Sequence, residues 1–125
     1  MMARPTVVLV GELPGFRLPV VREALERAGY DISRCVGSAE SACPALTGGP
    51  CPVSSDPVAV MVVDRRGGPE GLPQVCGRAL GAPVVVVEAG SGREPEFETG
   101  LVRIGEAQGP VAAVQALQEL IRASA

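Results

Sequence analysis

Four largely apolar runs divide the chain, and each ends at a charged residue or at a glycine. The three stronger runs cover residues 6–10, 58–63 and 83–87, and a shorter one covers 101–104. Runs without polar alternation are typical of strands that are buried on both faces of a parallel sheet. A weaker segment, 31–36, is interrupted by polar residues and predicts a strand at the sheet edge.

Between these runs, apolar residues recur at helical spacing. One helix is predicted from Pro19 to about Ala28 with Gly29 as its stop, a second stops at Gly81, and Pro110 opens a terminal helix. A short helix is predicted between the edge strand and residue 47. The apolar stripes are Val21, Ala24, Leu25 and Ala28; Ala39, Ala42, Cys43 and Leu46; Leu72, Val75, Cys76, Ala79 and Leu80; and Val111, Val114, Leu117, Leu120 and Ile121.

Alternating strands and helices over 125 residues predict one α/β domain spanning residues 1–125. Right-handed crossovers then favour a flavodoxin-like, doubly wound, five-stranded parallel sheet with strand order 2-1-3-4-5. Residues 47–57 are interpreted as an irregular surface connection. Glu94, Glu96 and Glu98 crowd a segment rich in Gly, Ser and Pro, so the fourth helix is expected to be short or missing.

The composition excludes several kinds of chemistry. All 11 cationic residues are Arg, and the chain has no His. Catalysis by His, a Lys Schiff base, a His metal ligand and the phosphate-binding Lys of a P-loop are therefore excluded. The net charge is −3 and the longest cationic run is Arg65-Arg66, which argues against nucleic-acid binding.

The amino-terminal residues and the cysteines bear on location. One cation followed by an apolar run of only five residues predicts neither a signal peptide nor a membrane span. Four cysteines without an export signal indicate reduced thiols, and we expect a cytoplasmic protein that does not bind a membrane. Cys35, Cys43 and Cys51 recur every eight residues, which matches no zinc spacing, and a redox or metal role for them is a secondary hypothesis.

Three carboxylates follow the apolar runs: Glu12, Asp64 and Glu88. Parallel strands would bring all three to one edge of the sheet, where like charges at close range raise one another's pKa or bind Mg²⁺ through oxygen. Arg103, near the end of the last strand, could neutralise this cluster. The alternative is that each carboxylate is simply a polar residue where a strand meets water. The glycine turn 11–15 lacks the spacing of a dinucleotide-binding fingerprint.

Three segments resemble the receiver domain of response regulators. Residues 58–72 (VAVMVVDRRGGPEGL) are similar to the segment around the phosphorylated Asp of a receiver. Residues 25–30 (LERAGY) resemble the end of its first helix, and 82–87 (APVVVV) its fourth strand. The resemblance implies that Asp64 is the phosphoacceptor and that Mg²⁺, bound through Glu12 and Asp64, is the cofactor.

The departures from the receiver pattern fall on the phosphorylation chemistry. Leu13 stands where receivers carry the second metal-binding acid, and Glu88 stands in place of a Ser or Thr that contacts the phosphoryl group. The Lys of the family is matched by Arg103, without a Pro after it. Phosphoryl transfer needs cations that offset the developing charge, so these departures imply a degenerate, or pseudo-, receiver with a weakened metal site.

Three functions follow as hypotheses. The first is a non-enzymatic regulatory module that acts independently of phosphorylation by binding a protein partner or a small ligand. The second is an active single-domain response regulator phosphorylated on Asp64, with Glu12 and Glu88 for the metal and Arg103 for charge compensation. The third is a small flavodoxin-like enzyme built on the carboxylates. A protein partner, or a second copy, is expected to contact the region 90–125.

Overall fold

The strands and helices that the structure describes lie where the apolar pattern predicts them, apart from one additional strand. The computed structural model describes residues 4–10, 18–35, 57–64, 78 and 80–124. Its elements are β1 (Thr6–Val10), α1 (Leu18–Arg27), β2 (Asp31–Cys35), β3 (Ala59–Asp64), β4 (Val84–Glu88), β5 (Glu96–Glu98), β6 (Leu101–Gly105), a 3-10 turn (Glu106–Gln108) and α2 (Pro110–Ser124).

The strands form one sheet in the order β2-β1-β3-β4-β6-β5. Every neighbouring pair is parallel except β5 and β6, which are antiparallel. The five parallel strands reproduce the predicted order 2-1-3-4-5, and β2 lies at the sheet edge as expected. The predicted doubly wound α/β fold is therefore confirmed, with one additional strand.

The additional strand, β5, lies in the segment where a fourth helix was expected to be short or missing. The structure describes all of residues 88–101 and shows no helix among them. The expected loss of the fourth helix is confirmed there, but the segment is not irregular throughout, since Glu96–Glu98 pairs with β6 across the two-residue turn Thr99–Gly100. Glu96, Phe97 and Glu98 alternate polar and apolar side chains, the pattern of an exposed strand.

The sheet separates two apolar layers. On one face the strands pack against α1 and α2, in a cluster that includes Leu9, Met61 and Ile104 from the sheet. On the other face Val8, Val10, Val60, Val62, Val84 and Val86 form a second buried cluster, against which Leu80, Ala82 and Leu101 pack. Because consecutive strand residues point to opposite faces, both faces of the valine-rich strands are covered.

Helix α2 presents most of its predicted stripe to the sheet. Val114, Leu117 and Leu120 are buried, together with Ala113 and Ala116. Val111 was predicted on the same face, but 60% of it is exposed. At 100° per residue, Val111 lies about 150° around the helix axis from the mean direction of the buried residues, so the prediction for this position is wrong. In α1, Val21 and Leu25 are buried as predicted, whereas Ala28 lies beyond the helix end and is exposed.

Helix α1 ends in a glycine cap. Gly29 has φ 99, a conformation that glycine adopts without steric penalty. Its N–H donates to the Glu26 carbonyl and the Tyr30 N–H donates to the Leu25 carbonyl, both at 3.1 Å. This is the Schellman arrangement, which satisfies carbonyls that the helix leaves free. Arg4, just before β1, adds donors to the Glu26 carbonyl at 2.7 Å and the Gly29 carbonyl at 3.2 Å.

Arg4→Ala is expected to lower the free energy of unfolding by about 0.5–1 kcal/mol, because a cation at a helix C-terminus is stabilising and its hydrogen bonds are lost. Urea unfolding followed by circular dichroism measures the change. The control is Arg22→Ala, which removes an exposed ion pair with Glu26 and is expected to cost less than about 0.5 kcal/mol. Equal losses in the two variants would contradict the capping role.

Some predictions lie outside the described residues. These are the short helix with the stripe Ala39 to Leu46, the connection 47–57 except for Pro57, and the stripe positions Leu72, Val75, Cys76 and Ala79. Arg78 and Leu80, just before Gly81, have helical backbone. Among the described helices, none is both long enough and apolar enough to cross a membrane.

Candidate functional site

Two of the predicted carboxylates lie side by side at the carboxyl ends of the central strands. Asp64 ends β3 and is in register with Glu88, which ends β4, and Glu88 is in register with Gly105, which ends β6. Adjacent strands lie roughly 4.8 Å apart. By alternation, all three positions belong to the face of the second valine cluster. We call these three residues the strand-end site.

The apolar strands position these carboxylates. β3 and β4 are buried up to Val63 and Val87, and the next residue of each strand meets solvent. Asp64 is exposed, whereas the Glu88 side chain is only 22% exposed. The Ala89 N–H donates to the Asp64 carbonyl at 3.0 Å, which extends the contact between the two strands by one residue.

Arg93 forms ion pairs with two acids of this region. Its Nε lies 2.6 Å from Glu88 Oε1 and its Nη1 lies 2.6 Å from Glu96 Oε2. The hydrogen bond to Glu88, followed by that to Glu96, raises the pKa of Arg93 above its ordinary value. Arg93 therefore remains charged at any pH at which the protein would be handled, and it offsets the charge of Glu88.

The β4–β5 segment, residues 89–95, is held against the end of β6 and the 3-10 turn by hydrogen bonds. Four of them join it to residues that follow β5. With the donor first, they are Gly105 N to Arg93 O at 2.9 Å, Ala107 N to Ser91 O at 3.0 Å, Gly90 N to Glu106 Oε1 at 2.8 Å and Gln108 Nε2 to Gly92 O at 2.8 Å. The segment thus has one defined arrangement over the end of β6.

Gly105 has no room for a side chain. A Cβ atom at this position would overlap the carbonyl oxygen of Ser91 and the amide nitrogen of Arg93. These are backbone atoms and cannot rotate away as the end of a flexible side chain can. No cationic side chain can therefore stand at the end of β6, beside Glu88.

Arg103 lies earlier in β6 than the strand-end site. It is in register with Val86 on one side and with Glu96 on the other. Arg103 precedes Gly105 by two positions, which is roughly 6.5 Å along the strand. The structure thus brings Asp64 and Glu88 together, and within the described part of the chain Arg93 is the cation in contact with Glu88.

The remaining predicted site residues are only partly described. Glu12 lies outside the described residues, as do Cys43 and Cys51. Cys35 is the last residue of β2, in register with Val10. The proposed carboxylate trio and the cysteine group therefore remain predictions.

The described residues do not by themselves provide a Mg²⁺ site. Carboxylate oxygens are suitable ligands for this ion, but Glu88 already accepts a hydrogen bond from Arg93. Within residues 4–10, 18–35, 57–64, 78 and 80–124, no group of three or more Cys, Asp or Glu side chains could hold a metal ion.

Sequence reasoning missed Arg93 and Gly105. Arg93 follows Glu88 by five residues across a loop, a spacing that no helix or strand period identifies. Gly105 resembles any turn glycine until the fold places residues 91–93 over it. A signal for β5 did exist, since Glu96-Phe97-Glu98 alternates and a two-residue turn ending in Gly separates it from the next apolar run.

Comparisons with known proteins find structural likeness only. No family model matches the chain, and no curated protein matches it either. Among solved structures, a response regulator receiver protein from Sinorhizobium medicae superimposes with a TM-score of 0.65 at 14% identity, over 98% of both chains. The N-terminal domain of a response regulator/sensory box/GGDEF protein from Carboxydothermus hydrogenoformans gives 0.62 at 13% identity, over 95% of both.

A response regulator CheY-like protein from Mesorhizobium loti is also similar. Its TM-score is 0.57 at 17% identity, and the match covers 94% of this chain and 99% of that one. All three matches extend over nearly the whole length of both chains, so the likeness includes the order and packing of the elements rather than one motif.

Proposed function

We propose that this chain, which has the response-regulator receiver fold, is a signalling module of the two-component type that acts by binding and does not transfer phosphoryl groups. The observation that supports this most strongly is the ion pair of Glu88 with Arg93, next to Asp64. In this proposal residues 1–125 form one cytoplasmic regulatory domain without enzymatic activity.

Among the residues that the structure describes, the charges around Asp64 argue against phosphoryl transfer. A phosphoryl group on Asp64 would add negative charge one strand spacing from the Glu88 carboxylate, and such transfer needs cationic groups to offset that charge. Arg93 is already shared between Glu88 and Glu96. The end of β6, where another cation could stand beside Glu88, holds a glycine without space for a side chain.

We propose that a protein partner or a second copy contacts the region 90–125. Phe97 on β5 is 47% exposed and Val111 on α2 is 60% exposed, and both are large apolar side chains. Glu94 and Glu98 form no ion pair within the described part of the chain. Exposed apolar side chains, with acids on the opposite face and in the preceding segment, suit a partner that covers this edge of the sheet with both apolar and basic groups. A small ligand at the strand-end site is compatible with the same proposal.

The exposure of Asp64 favours a second candidate, an active single-domain response regulator. Its side chain is accessible at the carboxyl end of β3, where α/β sheets of this kind bind ligands. In that case Glu88 would have to release Arg93, or the guanidinium would have to turn toward the phosphoryl group. The two candidates therefore differ in one measurable property, which is covalent modification of Asp64.

Intact mass after incubation with a small phosphodonor and Mg²⁺ distinguishes them. We expect no phosphoryl gain in the native chain or in Asp64→Asn. A gain in the native chain alone would contradict the proposal and establish an active receiver. Glu88→Thr, which removes the carboxylate beside Asp64, is the informative additional variant, since uptake by it alone would identify Glu88 as the group that prevents modification.

A further inference from the structure

Arg93 connects the strand-end site to the edge strand of the sheet. We propose that it couples the charge on Glu88 to the position of β5, so that a basic side chain of a protein partner that pairs with Glu88 loosens the edge strand. This inference rests on the proposed binding function in one respect, since the bound partner is what neutralises the charge on Glu88.

The contacts of Arg93 make this coupling direct. Different guanidinium nitrogens bind Glu88 at the end of β4 and Glu96 in β5, so both bonds exist at once. The Arg93 carbonyl accepts the N–H of Gly105 at the end of β6. One residue therefore links three strands, and the planar guanidinium presents its donors in a fixed relative geometry.

Few other interactions hold β5 on the sheet. It has three residues, all of them exposed, and β6 is its strand partner. Phe97, its apolar side chain, remains 47% exposed. Segments with little buried apolar area open at low free-energy cost. The bond from Arg93 to Glu96 therefore helps to fix this strand, in addition to its pairing with β6.

Competition at Glu88 provides the coupling. A basic side chain of a protein partner that pairs with Glu88 neutralises the carboxylate that holds Arg93. Arg93 then loses its hydrogen bond to Glu88. Its side chain is less constrained, so its remaining bond to Glu96 fixes β5 less firmly. By linkage, displacement of β5 must in turn change the affinity of Glu88 for that basic side chain.

Amide hydrogen exchange measured by NMR tests the coupling without any ligand. Glu88→Gln mimics neutralisation and is expected to accelerate exchange of the Gly105 amide and the β5 amides about two- to fivefold, the effect of losing a surface ion pair. Glu94→Gln, which removes the same charge from the residue next to Arg93, is the matched control and should change these rates by less than about 1.5-fold. The Val60 amide, which donates to the Pro83 carbonyl in the core, is the reference.

A double variant shows whether the effect passes through Arg93. In an Arg93→Gln background, Glu88→Gln should cause no further acceleration. Unchanged exchange in Glu88→Gln, an equal effect of Glu94→Gln, or additive effects of Glu88→Gln and Arg93→Gln would each overturn the coupling. Equal acceleration at Val60 would also overturn it, because the change would then be a loss of global stability. Since no phosphodonor or partner is present, such a failure leaves the test of the proposed function unaffected.

Discussion

Gly105→Ala is expected to lower the free energy of unfolding by about 1–3 kcal/mol, the range found when a methyl group is forced into packed structure. The new Cβ would overlap backbone atoms of Ser91 and Arg93. Either the β4–β5 segment moves off the end of β6, with loss of its hydrogen bonds, or β6 shifts relative to β4. The Gly105 N–H bond to the Arg93 carbonyl is weakened in both cases.

Urea unfolding with unchanged m-value measures this loss. The matched control is Gly92→Ala in the same segment, since a Cβ at Gly92 meets nothing within 4 Å and its φ is not in the left-handed region. The control is expected to lie within about 0.5 kcal/mol of the native chain. A Gly105→Ala variant as stable as the control would show that residues 91–93 do not lie over the end of β6.

Leu117→Ala is expected to have the largest effect, a loss of about 2–5 kcal/mol, which is typical of a leucine truncated in a packed core. Leu117 is fully buried in α2 and belongs to the cluster that joins both helices to the sheet. The loss combines the apolar surface that is no longer buried with the cavity left behind. It is a large share of the stability of a domain of this size.

Val111→Ala is the control for this prediction, because Val111 lies on the same helix but is 60% exposed. Its truncation should change the free energy of unfolding by less than about 0.5 kcal/mol. Thermal unfolding of both variants, followed by circular dichroism, gives the comparison. If the two variants lost similar stability, α2 would not pack on the sheet through the face that contains Leu117.

The parallel part of the fold could be predicted because it depends on a local pattern. Strands buried on both faces are continuous apolar runs. The runs 6–10, 58–63 and 83–87 correspond to β1, to the buried part of β3 and to β4, and each boundary agrees within one residue. The alternation of such runs with helical stripes leaves few right-handed topologies. β5 was missed because it is only three residues long and all three are exposed, so its sequence contains a single apolar residue.

The site was harder to predict because its contacts depend on the path of a loop. That Asp64 and Glu88 would lie at the same edge follows from parallel strands. The identity of the cation that contacts Glu88 does not follow from the strand order, because Arg93 and Arg103 both lie within fifteen residues of Glu88. The choice is made by the 89–95 backbone, which folds over Gly105 and brings Arg93 to Glu88.

The antiparallel edge strand also affects how the protein behaves at high concentration. An exposed strand edge is a template for pairing with another molecule, which is a route to aggregation. If two copies paired antiparallel through β5 with Phe97 facing Phe97, Glu96 of each copy would lie opposite Glu98 of the other, and like charges directly opposite are destabilising. Pro95, just before β5, has no N–H to extend such a ladder. The β5–β6 hairpin therefore ends the sheet with an edge that disfavours the addition of a further strand from another molecule.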